Sequence, residues 1–208
     1  MKLLIFSDIH DEELALQALT KLANSERFDY TINCGDITSN NLSFAEELLQ
    51  AIDAFTIAGN NESDEVKELM KKSNYIHEKR TELNEDLNVV GFGFSNITPY
   101  GTLNELTEEE IYKRMNKLKI DHNTILVCHC PPFEYFDEVR GKNIGSTAIL
   151  KIIHEKRPFL VLCGHVHEFS GVKQINASYI VKVPAAVNGK ACVVKINERR
   201  IEVEFIAL

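Results

Sequence analysis

A repeated arrangement, in which a short apolar run ends in a compact polar cluster, constrains this 208-residue chain more than any other feature. The runs cover residues 3–6, 30–34, 54–58, 124–128 and 159–163. The clusters that follow them are Ser7-Asp8-Ile9-His10, Gly35-Asp36, Gly59-Asn60-Asn61-Glu62, His129-Cys130-Pro131-Pro132 and Gly164-His165-Val166-His167. Continuous apolar runs of this length are typical of strands that are covered on both faces, so the pattern predicts sheets with polar strand ends.

Helical patterns separate the runs and lead to a prediction of the fold. We expect helices over residues 12–22, 43–52, 63–72, 107–118 and 146–156. Thr107 and Glu110 form a capping box at the start of the fourth helix. Sequential strands over 179–184, 191–196 and 201–206 complete the chain. Because strand and helix alternate without a linker, the sequence predicts one α/β domain over 1–208, a sandwich of two face-to-face sheets with helices outside.

The charge balance limits the classes of partner. The chain carries 23 Lys and Arg against 31 Asp and Glu, a formal charge of −8, which disfavours nucleic acid as a partner. No stretch approaches the roughly 20 apolar residues that a membrane span needs, so we expect no membrane contact. The five cysteines include no Cys-x-x-Cys pair, and we interpret them as reduced thiols of a cytoplasmic protein. The sequence leaves the oligomeric state open, homo-oligomers included.

The polar clusters have one property in common, which is that each follows the carboxyl end of a predicted strand. In open α/β sheets, ligands bind beyond those ends, so we expect the five clusters to form one site. The metal-ligating side chains that such a site brings together are Asp8, His10, Asp36, Asn60, His129, His165 and His167. Their oxygen and nitrogen atoms suit Mn, Fe or Zn, and seven ligands exceed what one tetrahedral ion uses. The sequence therefore predicts two divalent metal ions.

Charge arithmetic indicates the reaction. Two divalent ions contribute +4, the carboxylates of Asp8 and Asp36 contribute −2, and a bridging hydroxide leaves a total of about +1. An acidic protein can therefore still hold an anionic phosphoryl group at this centre. Two ions about 3.5–4 Å apart lower the pKa of bound water and hold both the attacking and the leaving oxygen of a displacement. These properties favour the hydrolysis of a small phosphorylated substrate.

The motifs follow the order Asp-x-His, Gly-Asp, Gly-Asn-x-Glu, His-x-Pro-Pro and Gly-His-x-His. This order resembles the calcineurin-like metallophosphoesterases over nearly the whole chain. It is most similar to a small prokaryotic branch related to cyclic-nucleotide phosphodiesterases, which residues 98–102, 145–146 and 164–168 also resemble. The resemblance implies a four-layer α/β/β/α sandwich, the metallo-dependent phosphatase-like fold, with two mixed sheets flanked by helices.

The resemblance also implies roles for individual residues. The expected metal ligands divide into two groups of three and one bridge: Asp8, His10 and His167; Asn60, His129 and His165; and Asp36. A metal-bridging hydroxide attacks phosphorus, and Asp36, His10 and Asn61 count as the catalytic residues. Members of the family use Mn, Fe, Ni or Zn, and we take Mn as the expected ion.

One position departs from the family pattern. Many members carry histidine after the motif asparagine, where it contacts the substrate phosphate and can protonate the leaving group. This sequence has Asn61, which can hydrogen-bond a phosphoryl oxygen but cannot act as an acid. A positioned general acid contributes about 10²–10⁴ in rate, most where the leaving group is poor. We therefore expect Asn61 to orient the phosphoryl group, and the protein to prefer diesters or activated esters over alkyl monoesters.

Two other function classes stay open. The first is a non-enzymatic interaction module that keeps the fold, although such proteins normally lose ligands and every ligand position is filled here. The second is a nuclease, against which the acidic net charge and the lack of a basic stripe count. The sequence also leaves open whether Glu62 only opens a helix or supports the ligands. Residues 92–102 are either an ordinary connection or, as we prefer, a loop that borders the site.

Overall fold

Fifteen strands and five α-helices make up the computed structural model, which describes all residues from 1 to 208. The strands are β1 (Lys2–Phe6), β2 (Tyr30–Asn33), β3 (Ala54–Thr56), β4 (Arg80–Glu82), β5 (Asn88–Phe92), β6 (Ser95–Asn96), β7 (Glu105–Leu106), β8 (Thr124–Cys128), β9 (Glu138–Val139), β10 (Lys142–Asn143), β11 (Leu160–Cys163), β12 (Gly171–Ile175), β13 (Ser178–Lys182), β14 (Lys190–Asn197) and β15 (Arg200–Ala207). The helices are α1 (Glu13–Ser25), α2 (Leu42–Ala51), α3 (Asp64–Met70), α4 (Glu108–Asn116) and α5 (Thr147–Lys156). None of these helices combines the length and the apolar character that crossing a membrane requires.

Two large mixed sheets contain most of the strands. The first sheet has the order β15-β14-β1-β2-β3, in which β1, β2 and β3 are parallel and β14 and β15 are antiparallel to their neighbours. The second has the order β12-β13-β11-β8-β5-β4, with a parallel centre and an antiparallel strand at each edge. The pairs β6–β7 and β9–β10 lie outside both sheets. Parallel strands end at the same edge of a sheet, so the polar clusters after β1, β2 and β3 lie side by side.

Three apolar clusters show that the layers are stacked in the order helix, sheet, sheet, helix. Alternate side chains of β1 point to opposite faces, so that Leu3 and Ile5 pack against Val127 and Leu162 of the second sheet. The opposite face of the first sheet packs against α1, α2 and α3. The outer face of the second sheet packs against α4 and α5. The four-layer sandwich with two mixed sheets, predicted from the sequence, is confirmed.

The structure differs from the sequence prediction mainly between residues 80 and 92 and at the second sheet's other edge. Strands β4, β5 and β12 were not predicted. In β5 only Val89 and Val90 are adjacent β-branched residues, and Gly91 interrupts the apolar run before Phe92. This strand forms because it is fully buried between β8 and β4, and tertiary pairing outweighs a weak local preference.

Candidate metal centre

The polar clusters meet where the two sheets face each other at one edge. The seven predicted ligands follow five strands: Asp8 and His10 after β1, Asp36 after β2, Asn60 after β3, His129 after β8, and His165 and His167 after β11. Two hydrogen bonds join the sheets there. His129 donates from Nδ1–H to the carbonyl of Cys34 over 2.8 Å, and the backbone N–H of His165 donates to the carboxylate of Asp8 over 2.9 Å. The structure thus brings all seven side chains together.

Left-handed backbone conformations are concentrated at this edge. The ligand positions with positive φ are Asp8 (56°), His10 (46°), Asp36 (55°) and His165 (73°). Such conformations cost roughly 1–3 kcal/mol for a residue with a side chain and persist where surrounding bonds enforce them. The enforcing bonds run between neighbouring loops, as from the N–H of Asp8 to the carbonyl of Gly35 over 2.9 Å. The clustering of strain is typical of a functional site.

The first group of ligands consists of Asp8, His10 and His167. The Nε2 atoms of the two histidines are 3.3 Å apart, and Oδ1 of Asp8 lies 3.4 Å from Nε2 of His167 and 3.9 Å from Nε2 of His10. Asp8 is fully buried, whereas the side chains of His10 and His167 are 28% and 37% exposed. The two histidines therefore form the solvent-facing side of the site.

The second group lies deeper and is arranged around His129. Its Nε2 atom lies 2.8 Å from Oδ1 of Asn60, 3.2 Å from Nδ1 of His165 and 3.6 Å from Oδ2 of Asp36. The same Asp36 oxygen is 3.7 Å from Nε2 of His10, which belongs to the first group. Oδ2 of Asp36 thus lies between the two groups, a position that suits a ligand shared by two ions.

Hydrogen bonds around the deeper group direct the lone pairs of His129 and Asn60 into the site. Because Nδ1 of His129 donates to a carbonyl, the neutral ring presents the lone pair of Nε2 to the site. Asn60 donates from Nδ2 to Oγ1 of Thr102 over 3.0 Å, which turns its Oδ1 toward His129. Two lone pairs therefore face each other, an arrangement that a cation or a proton between them stabilises. The same contact places the end of the 92–102 segment at the site, as we preferred from the sequence.

The chemistry of the donor set fits divalent cations. Two sets of side chains hold their potential ligand atoms within 4.8 Å of one another, Asp8 with His10 and His167, and Asp8 with Asp36 and His129. Imidazole nitrogens and carboxylate oxygens without a thiolate suit Mn, Fe or Zn. His165 lies outside both sets, although Nε2 of His129 contacts its Nδ1 as well as Oδ1 of Asn60. The residues present therefore fit divalent metal ions.

Carboxylates determine the charges in the deeper group. Burial opposes a charge on His129, but the neighbouring carboxylates of Asp36 and Asp8 outweigh it and raise the pKa of His129 to about 9. Burial likewise opposes ionisation of Asp36, and His129 outweighs it, so that the pKa of Asp36 falls to about 2. Burial and the charge on His129 lower the pKa of His165 to about 4. Without a metal ion, the deeper group therefore holds its proton on His129 at neutral pH.

Glu62 supports the two loops that carry Asp36 and Asn60. Its fully buried carboxyl group accepts the backbone N–H of Ile37 over 2.7 Å and that of Gly59 over 2.9 Å. Burial and the charge on Asp36 raise the pKa of Glu62 to about 8. Only glycine fits at position 59, because a Cβ atom there would lie 2.0 Å from Oδ1 of Asp36. These contacts favour the supporting interpretation of Glu62.

Asn61 contacts Asp36 at the entrance of the site. Its backbone N–H donates to Oδ1 of Asp36 over 3.1 Å, and its side-chain amide donates to Oδ2 over 2.5 Å. The amide has a second N–H, which donates no hydrogen bond within the protein. Asn61 is half-buried, so that this N–H is available to a ligand. Its predicted contact with a phosphoryl group stays a prediction.

The sequence analysis missed Lys182, which lies at the end of β13. The side chain is fully buried, and its ammonium group donates to the carbonyl of Val183 over 3.0 Å. Burial lowers the pKa of Lys182, and attraction by the carboxylate of Asp8 opposes that change. The only signal in the sequence was a single charge between Val181 and Val183, within an apolar strand.

Comparison with known families decides the assignment. A family model described as calcineurin-like phosphoesterase matches residues 1–169. The chain belongs to this family. The match confirms the resemblance that the order of the motifs indicated. A relative of this phosphoesterase, an uncharacterised protein of Methanocaldococcus jannaschii, is 32% identical over 165 residues, which cover 74% of this chain and 76% of the relative.

Solved structures of other proteins have the same fold as this phosphoesterase. An archaeal phosphodiesterase matches with a TM-score of 0.59 at 15% identity, over 99% of this chain and 100% of its own. A dimetal phosphatase from Danio rerio matches with a TM-score of 0.64 at 10% identity, over 100% of this chain and 98% of its own. At these identities the likeness establishes the metallo-dependent phosphatase-like fold and no more.

Replacing Glu62 by alanine tests its support of the two loops. The change leaves the buried N–H groups of Ile37 and Gly59 without an acceptor, at about 1–3 kcal/mol each. We expect Glu62→Ala to lower the free energy of unfolding in urea by about 2–4 kcal/mol. The exposed Glu85→Ala is the matched control and should stay within about 0.5 kcal/mol of the parent protein. Equal stability of both variants would contradict the supporting role.

The proton on His129 makes metal binding dependent on pH. With a pKa of about 9, metal-free His129 is charged at neutral pH, whereas a bound cation needs the lone pair of its Nε2. Metal affinity should therefore rise with pH and level off above pH 9, by about tenfold per unit between pH 7 and 8.5. Calorimetric Mn²⁺ titrations in buffers of different ionisation enthalpy should show at least one proton released at pH 7.5, from His129 and in part from His167, whose pKa is raised by its contact with Asp8.

The control for this titration is His122→Gln, which replaces an exposed histidine outside the site and should release the same proton. A Mn²⁺ affinity that does not change between pH 7 and 8.5 would show that His129 is already neutral in the metal-free protein.

Proposed function

We propose that this calcineurin-like phosphoesterase is a hydrolase with a dinuclear metal centre, and that it prefers phosphodiesters. The observation that carries the proposal is the position of Asp36 Oδ2, 3.7 Å from Nε2 of His10 and 3.6 Å from Nε2 of His129. One carboxylate oxygen thus lies between two groups of nitrogen and oxygen ligands. All five cysteines are free and buried, which further supports a cytoplasmic location.

The proposed ligands form two groups of three that share one bridge: Asp8, His10 and His167; Asn60, His129 and His165; and Asp36. Two divalent ions bound there, with Mn²⁺ as the first to test, would lower the pKa of a water molecule and neutralise charge on the phosphoryl oxygens. The protein contributes the orientation of the ligands. The hydrogen bond from Nδ1 of His129 to the carbonyl of Cys34 fixes the orientation of the ring. The backbone N–H of His165 holds the carboxylate of Asp8 in the same way.

The substrate approaches from the side of His10 and His167, because Asp8, Asp36, Asn60 and His129 are buried and His165 is half-buried. Asn61 lies at this entrance and has one side-chain N–H free to donate to a phosphoryl oxygen. Its other N–H is held by Asp36, so the amide is already oriented before the substrate binds. An amide donates no proton to a leaving group. This supports a preference for esters whose leaving groups need no acid, which include activated esters and many diesters.

Asp36→Asn tests the dinuclear centre. The change removes the charge of the proposed bridge and keeps its shape, so we expect the Mn²⁺-dependent hydrolysis of bis(p-nitrophenyl) phosphate to fall by about 10³-fold or more. The free energy of unfolding of Asp36→Asn should stay close to that of the parent protein. The exposed Asp86→Asn is the control and should keep full activity. Unchanged turnover would contradict the bridging role. A fully metal-loaded parent protein without turnover on any phosphoester would favour the interaction module instead.

The chemistry of Asn61 predicts a substrate preference that one substitution should reverse. The parent protein should hydrolyse bis(p-nitrophenyl) phosphate faster than ethyl phosphate, because the alkoxide of the monoester needs an acid. Asn61→His supplies that acid and should raise the turnover of ethyl phosphate by about 10²-fold, with a smaller effect on the diester. Asn61→Ala is the control and should gain nothing on the monoester. Faster hydrolysis of ethyl phosphate by the parent would reject the preference.

A further inference from the structure

A cavity of about 750 Å³ begins at His165 and His167 and extends away from the proposed metal ligands. One of its walls is the segment 96–100, and the other is the hairpin of β9 and β10 with the residues that follow it. Pockets for small ligands commonly have volumes of about 300–1,000 Å³. The cavity is therefore large enough for an organic group attached to a phosphoryl group at the metal centre.

Large apolar side chains line this cavity although solvent can reach them. Ile97 is 65% exposed and Tyr100 is 84% exposed, and Ile144 on the opposite wall is 38% exposed. Most side chains of this kind are buried in the chain's three apolar clusters. An apolar surface that is kept exposed beside a catalytic centre indicates a ligand with an apolar surface of its own.

Two cations lie on the hairpin wall of an otherwise acidic protein. Arg140 and Lys142 line the cavity, and neither side chain forms an ion pair or a hydrogen bond within the protein. The cavity lining also contains two carboxylates, Glu108 and Glu168, which equal the cations in number but lie outside the hairpin wall. The carboxylate of Glu108 already accepts hydrogen bonds at the start of α5, which leaves Glu168 as the free one. The hairpin wall can therefore bind a negative charge.

The walls are held in place rather than loosely attached. Arg140 and Gly141 form the hairpin turn, with φ values of 52° and 75°. At its base, the buried carboxylate of Asp137 accepts the N–H of Gly145 over 2.8 Å. Asn96 of the opposite wall donates to the carbonyl of Ile144 over 3.1 Å. Because the two walls are bonded to each other, the cavity exists before a ligand binds, which lowers the entropic cost of binding.

We propose that this cavity holds the organic group of the substrate and selects phosphoesters whose organic group is aromatic and carries a second negative charge. The inference rests on the proposed function, because the phosphoryl group has to occupy the metal centre. Tyr100 and Ile97 contact the ring, and Arg140 binds the distal anion. These residues determine specificity and take no part in bond cleavage.

The test compares three phosphonates, which the protein cannot hydrolyse, by calorimetric titration of the Mn²⁺-loaded protein. Phenylphosphonate should bind about tenfold more tightly than methylphosphonate, because the ring loses its contact with water. 4-Carboxyphenylphosphonate should bind about threefold more tightly again, as an exposed ion pair allows. Tyr100→Ala should remove most of the gain from the ring. Arg140→Gln should remove only the gain from the carboxylate.

Matched controls use side chains of the same types outside the cavity. Leu14→Ala removes an apolar group that is 72% exposed, and Arg27→Gln removes an exposed cation. Both should keep the affinities for all three phosphonates. Equal binding of the three compounds by the parent protein, or preferences that survive both cavity substitutions, would overturn the proposal.

Hydrolysis of bis(p-nitrophenyl) phosphate, measured on the same samples, separates this inference from the proposed function. Turnover together with equal binding of the three phosphonates contradicts only the cavity proposal. The expected order of affinities without any turnover supports the cavity and contradicts the hydrolase. If no phosphonate binds and no ester is hydrolysed, both proposals are wrong.

Discussion

The hydrogen bond from His129 to the carbonyl of Cys34 is the contact on which the rest of the site depends. It joins the second sheet to the first, and it determines which nitrogen of the ring faces the other ligands. The bond from the N–H of His165 to Asp8 repeats this connection a few residues away. Two sheets that are packed only through apolar side chains could shift against each other, whereas these bonds join residues that are 95 and 157 positions apart in sequence.

The buried carboxylates of the candidate metal centre need groups of opposite charge close by. Asp8 and Asp36 are held ionised by neighbouring histidines, although burial opposes their charge. Each buried carboxylate needs compensation that water does not supply there, and the charged His129 supplies part of it in the absence of metal. Divalent ions would replace that proton. The backbone at Asp8 and Asp36 has a strained, left-handed conformation. This strain lowers the stability of the fold, and it accompanies the close approach of the two carboxylates to the histidines.

The convergence of the seven candidate ligand side chains could be predicted from the sequence because each one follows an apolar run, and parallel strands place their ends together. The capping box at Thr107 and the four layers followed from equally local patterns. Other features depend on contacts that are distant in sequence. A lone charge in an apolar strand does not show that Lys182 is buried near the carboxylate of Asp8, and Glu62 shows its role only once Ile37 lies beside it. Strand β5 likewise exists because β8 and β4 pair with it.

The centre and the cavity beside it are built from different parts of the fold. The ligands follow strands of the two packed sheets, whereas the cavity walls are the segment 96–100 and the hairpin of β9 and β10, which lie outside both sheets. The two regions meet at His165 and His167, which line the start of the cavity. If the proposals hold, changes in Tyr100 or Arg140 would alter the choice of substrate without disturbing the candidate ligands. In the proposed function, the strand ends would supply the chemistry and the segments outside the sheets would supply the selectivity.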